Sequence, residues 1–187
     1  MLRLARESIK KGLGGERLSV RAADYAESLR IPRATFVTLQ LDGQLRGCIG
    51  TLEVRLPLVE DVANNAYSAA FRDPRFSALT SPEYERLDID ISILSPPEPM
   101  QFSSEKDLLA QLRPHVDGVI LEEGLQRGTF LPAVWEQLPE PRDFLRQLKI
   151  KAGMSADYWS DRLRVQRYTV DSILKQRIDR HCRRRYS

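Results

Sequence analysis

The chain has 187 residues, 42% of them hydrophobic and 29% charged, with a net charge of +3. These are the proportions of a folded globular protein, not of a disordered or fibrous one. No apolar run approaches the roughly 20 residues that a membrane span needs, and the segment from Met1 to Glu7 lacks the apolar core of a secretory signal. With only two cysteines, the expectation is a cytoplasmic protein with free thiols and no membrane association. The positive charge is terminal: from Lys175 to Ser187 six Lys/Arg stand against one Asp, so the rest of the chain is nearly neutral.

In chain order, Leu2, Ala5, Ile9 and Leu13 share one stripe and predict a helix over residues 2–13, ended by glycines. The Gly12-Leu13-Gly14-Gly15 run is no phosphate loop, because it follows no strand and lacks the Lys-Ser/Thr ending. A short helix is predicted over 20–30, stopped by Pro32. Thr35–Leu41, the turn Asp42-Gly43 and the return Leu45-Arg46-Gly47-Cys48-Ile49-Gly50 predict a β-hairpin. Strict alternation puts residues 46, 48 and 50 on one face, with Arg46 and Cys48 about 7 Å apart. A guanidinium there would favour the thiolate, and Gly50 would leave the face open to a ligand or to another backbone. The same residues also read as architecture. Cysteine is often a packed small hydrophobe, strand glycines often mark bulges, and no base stands beside the thiol.

Residues 57–71 carry the clearest helical stripe, Leu58, Val62, Ala66 and Ala69, ended by Pro74. Around that proline, Arg72, Asp73 and Arg75 read either as an anion site or as an Asp–Arg pair anchoring a loop. Thr80-Ser81-Pro82-Glu83 is a capping box that opens a short helix. Leu87–Leu94 alternates strictly as a half-buried antiparallel strand. Its Asp88 and Asp90 share a face, as metal ligands or simply as the wet side of a sheet. A rigid proline-rich loop follows. Further on come a helix over 103–112, a second hairpin (118–121 and 127–131), a short helix from Pro132 to Leu138, a helix over 142–152, a turn at Ser155 and a last strand from Leu163 to Val170. Nothing marks a boundary, so residues 1–172 read as a single domain, with room for two lobes. Residues 173–187 read as a basic tail, solvated or weakly in contact with nucleic acid.

The familiar catalytic and metal signatures are absent: no His-Glu-x-x-His, no Cys-x-x-Cys, no Gly-x-Ser-x-Gly. The two histidines are His115, in a loop, and His181, in the tail. A Cys48–His115 pair depends on the fold bringing them together. The residues point to no cofactor and to no metal site.

The blocks Phe36-Val37-Thr38-Leu39, Leu45–Gly50, Ala69-Ala70-Phe71-Arg72-Asp73-Pro74-Arg75-Phe76, Thr129–Trp135, Lys151-Ala152-Gly153 and Trp159 resemble the signature of the AMMECR domain family, in the family's order. The chain is similar to the A component of AmmeMemoRadiSam sets, encoded beside or fused to a Memo-like protein and a radical SAM protein. The resemblance implies an α+β fold: an antiparallel sheet, flanking helices and a smaller α/β lobe. It also implies that the LRGCIG strand lines a functional cleft. Onto this chain it carries Cys48 as the candidate catalytic residue and Arg46, Gly47, Gly50, Asp73 and Arg75 as candidate binding residues. It supplies no reaction. The expected activity is that of an enzyme or enzyme component taking a small anionic metabolite, with the Memo-like and radical SAM proteins as expected partners. The alternatives are a non-catalytic interaction module and, more weakly, nucleic-acid binding through the tail.

Overall fold

The computed structural model describes residues 1–174, so the basic run from Lys175 onward lies outside the described residues. The chain divides into two compact units, Met1–Ile93 with the segment from Ser172, and Leu94–Asp171. Each contains a four-stranded sheet, and both sheets are antiparallel wherever register is defined, so the α+β class is observed.

In the first unit, α1 (Leu2–Leu13), the two-piece segment of a 3₁₀ turn at Ala22–Asp24 and α2 (Glu27–Arg30), β1 (Thr35–Leu41), β2 (Gln44–Gly50), α3 (Leu58–Phe71), α4 (Ser81–Tyr84) and β3 (Leu87–Leu94) follow one another. The predicted helix over 20–30 is broken in two because Tyr25 takes extended geometry. The β1–β2 turn has positive φ at both Asp42 (52°) and Gly43 (82°), the geometry a two-residue hairpin needs. Val37, Leu39, Ile89 and Ile91 point to one face of the sheet and are fully or almost fully buried with Val62, Ala66 and Ala69 of α3. Helix α1 lies on α3, where Ser8 Oγ donates to the Ala63 carbonyl at 2.7 Å.

The second unit holds β4 (Glu98–Pro99), α5 (Glu105–Gln111), β5 (Gly118–Glu123), β6 (Gln126–Phe130), a 3₁₀ turn (Pro132–Glu136), α6 (Pro141–Lys151) and β7 (Arg164–Tyr168), with sheet order β4-β7-β5-β6. Its core centres on Trp135 and Phe144, both fully buried and stacked 3.7 Å apart. Pro141 begins α6 at a position where the missing N–H costs nothing, instead of breaking a helix.

The single predicted last strand is two strands, β7 and then β8 (Val170–Leu174). β8 joins the first sheet beside β3, giving the order β2-β1-β3-β8. Ile173 packs against the first unit's core, so residues 173 and 174 belong to a strand and not to a tail. The polar Asp171 and Ser172 within this run hid its strand character. Among the described residues no helix is long and apolar enough to cross a membrane.

β2 lies close on α3 because Gly47 has no side chain: a Cβ there would sit 2.2 Å from the Ala69 carbonyl oxygen. Gly47→Ala should therefore destabilise the protein by about 1–3 kcal/mol, read as a lower urea midpoint at unchanged m-value.

Candidate functional site

The hexapeptide occupies β2, an edge strand. Its register with β1 runs Gly50 opposite Phe36, Cys48 opposite Thr38 and Gly47 opposite Leu39, and then shifts, so that Leu45 faces Gln40 and Arg46 is the extra residue of a β-bulge. The bulge interrupts the strict alternation that would set Arg46 beside Cys48. The Arg46 guanidinium is instead buried. Its Nε donates to Glu83 Oε1 at 2.8 Å, and its Nη2 donates to Glu83 Oε2 at 3.2 Å and to the Ser77 carbonyl at 2.9 Å. Glu83 closes the capping box of α4, accepting from Thr80 N–H and Oγ1, both at 2.8 Å. The hydrogen bonds from Arg46 lead the causes that hold the Glu83 carboxyl down at about 2, against an ordinary 4.5.

The arginine at the cysteine is Arg75. Asp73 is buried and organises this corner. Its Oδ2 accepts from the Cys48 N–H at 2.9 Å and from Arg75 Nη2 at 2.7 Å, while its Oδ1 accepts from the Arg75 N–H and Nε at 3.1 and 3.0 Å. These bonds, the Arg75 side chain first, hold the Asp73 carboxyl well below the ordinary carboxylate range. Arg75 Nη2 also reaches the Cys48 carbonyl at 3.4 Å. The Arg75 guanidinium is held protonated chiefly by its hydrogen bonds to Asp73. Its side chain remains 54% exposed. The Phe76 ring lies beside both arginines, 5.7 Å from Arg46 and 5.5 Å from Arg75.

The room that Gly50 leaves is filled by the protein: a Cβ there would meet the Thr35 carbonyl oxygen at 2.3 Å and the Phe36 ring at 2.4 Å. Gly47 likewise makes room for α3. Both glycines are thus packing residues in this fold, and the space beside them is not free for a ligand.

Cys48 is free and half-buried, and Thr38 Oγ1 donates to its sulfur at 3.3 Å. Thr38 in turn stands directly opposite Asp90 of β3. Cys48, Thr38 and Asp90 therefore form one cross-strand row on the face away from α3. Burial, and to a lesser extent the charge of Asp88, push the Asp90 carboxyl up. Reading the sequence strand by strand missed Thr38 and named Asp90 only beside Asp88, as metal ligands or the wet side of a sheet. The signal was present as alternation in both strands, but it needs the register to become a row. Asp88 and Asp90 do not form a metal cluster: among the described residues no group of three or more His, Cys, Asp or Glu is placed to hold one. His115 lies in the second unit, in the loop before β5, at a positive φ of 63°.

The AMMECR1 family model matches residues 2–173. The chain belongs to the AMMECR1 family. A family relative from Methanothermobacter thermautotrophicus is 36% identical over 170 residues, covering 90% of this chain and 88% of its own. One from Thermotoga maritima is 40% identical over 138 residues, covering 73% and 74%. The solved structure of an uncharacterized protein, PH0010 from Pyrococcus horikoshii, matches with a TM-score of 0.81 at 31% identity, over 91% of this chain and 87% of that one.

The Arg46–Glu83 pair has a pH signature. Because the Glu83 pKa is depressed on folding, its contribution is complete above about 4.5 and is lost as the pH falls toward about 2. Thermal melts from pH 6 to pH 2 should show Glu83→Gln less stable than wild type at pH 6, with the two curves converging as the pH drops.

Proposed function

We propose that the protein is a cytoplasmic enzyme or enzyme component that takes a small anionic metabolite, with Cys48 as its nucleophile or ligand contact and Arg75 holding the anionic group. In this reading Asp73 positions Arg75 and the Cys48 backbone, and Arg46 anchors the strand from below. The Thr38 hydroxyl donates to the Cys48 sulfur and favours negative charge there, with Asp90 opposite Thr38 in the same cross-strand row. Family membership and the completeness of the LRGCIG match further support work alongside a Memo-like protein and a radical SAM protein. The observation that carries the reading is one half-buried free cysteine whose sulfur accepts from a hydroxyl and whose carbonyl accepts from a solvent-facing guanidinium.

Two alkylating reagents of similar size and opposite demand test it. Iodoacetate should modify Cys48 faster relative to iodoacetamide than it does an unfolded-chain thiol, by about tenfold, and Arg75→Gln should abolish that preference. Thr38→Val, which removes the hydroxyl donor to the sulfur, should slow modification at neutral pH. A Cys48 that reacts only after unfolding, or that shows no preference for the anionic reagent, would remove the anion-binding thiol. Affinity purification of the full chain should recover the Memo-like and radical SAM partners; their absence from native lysate would separate this chain from them.

A further inference from the structure

The glycine run at the end of α1 has a structural purpose that the Cys48 site does not use. A Cβ on Gly12 would lie 2.2 Å from the Phe71 ring, so the ring occupies the place where a side chain on residue 12 would begin. Phe71 in turn packs against Tyr67 one turn earlier on α3, with ring centres 5.0 Å apart. Gly15, at φ +80°, folds the chain back, and the Glu16 N–H bonds the Lys11 carbonyl at 3.1 Å. The next residue, Arg17, is thereby laid on Tyr67 with its guanidinium carbon 4.4 Å from the ring centre. Arg72, the residue capping α3, approaches the same ring at 5.6 Å.

Two cations thus share one aromatic ring. Among the described residues neither has a carboxylate within ion-pair distance or a hydrogen-bond acceptor, and the Tyr67 hydroxyl has no partner. The neighbouring acids are committed elsewhere, Glu16 to Lys11 at 3.1 Å and Asp73 to Arg75 at 2.7 Å. The ring holds the guanidinium groups without neutralising them, which leaves their N–H edges available.

We propose that Tyr67, Arg17 and Arg72 form a binding site for the phosphate group of a small molecule. A phosphate monoester carries a charge of about −1.5 to −2 and three acceptor oxygens, which matches two guanidiniums and one hydroxyl. A carboxylate, with one charge and two oxygens, matches only half of the site. The glycine run contributes no donors itself, because the N–H groups of Gly14, Gly15 and Glu16 are all spent on backbone carbonyls. Recognition is by side chains, and the glycines only place them. The site stands independently of the chemistry assigned to Cys48.

The test titrates inorganic phosphate and methyl phosphate at constant ionic strength set with sodium chloride, following the arginine Nε signals by NMR. Saturable shifts are expected at Arg17 and Arg72. Binding should weaken by about tenfold in Arg17→Ala and in Arg72→Ala and several-fold in Tyr67→Phe, and should be unchanged in Cys48→Ser. Shifts no larger than those with chloride alone, equal binding by the arginine variants, or loss of binding in Cys48→Ser would overturn the assignment. A single-stranded oligonucleotide that binds more tightly than methyl phosphate, with steep salt dependence, would overturn the small-molecule ligand in favour of a nucleic-acid backbone.

Discussion

The carboxylate of Asp73 is the constraint on which this corner of the fold rests. β2 is an edge strand, and the Cys48 N–H and C=O point away from β1. Asp73 supplies the acceptor, and Arg75 the donor, that a neighbouring strand would otherwise provide. Two side chains from one proline-fixed turn thus stand in for a strand residue. This satisfies the backbone where it would otherwise be an open template for pairing with another chain. The same pairing holds the guanidinium at the Cys48 carbonyl, so edge protection and charge placement come from one set of bonds.

Much of the hexapeptide serves architecture. Gly47 admits the α3 backbone and Gly50 admits Thr35 and Phe36. Arg46 ties the bulge to α4 through Glu83 and Ser77, and its Nη1 is buried without a partner. A buried guanidinium left alone would be costly, so Glu83 does two jobs, capping α4 and balancing Arg46. What remains is the Cys48 side chain, free and half-buried, with the Thr38 hydroxyl on its sulfur.

The elements were legible in the sequence wherever one periodicity ran uninterrupted. The stripe from Leu58 to Ala69, the alternation of Leu87 to Leu94 and the Asp42-Gly43 turn all correspond to what forms. Arg46, Cys48, Asp73 and Arg75 were visible in the sequence as candidates, but their pairing was not. Arg46 and Cys48 are two apart, and alternation places them together, yet a bulge is a local register shift with no strong sequence mark beyond a nearby glycine. Asp73 and Arg75 were visible as an acid and a base around Pro74. That they reach across to Cys48 is a tertiary fact, set by where α3 ends. Thr38 and Asp90 lie on two further strands and become neighbours only through pairing. β8 escaped notice because its alternation spans too few residues and includes Asp171 and Ser172.

The place of β8 has a consequence for how the chain must be assembled. The first sheet takes β3 just before residue 94 and is completed beside it only by β8, at residues 170–174. The second unit is therefore a long insertion between two adjacent strands, both of its ends fastened to one sheet. During synthesis the first unit waits with the outer edge of β3 unpaired until the whole insertion has left the ribosome. An insertion that folds early draws its two ends together and reduces the loop-closure entropy that this late pairing must overcome. The second unit thus acts as a folding staple for the first, apart from anything it binds.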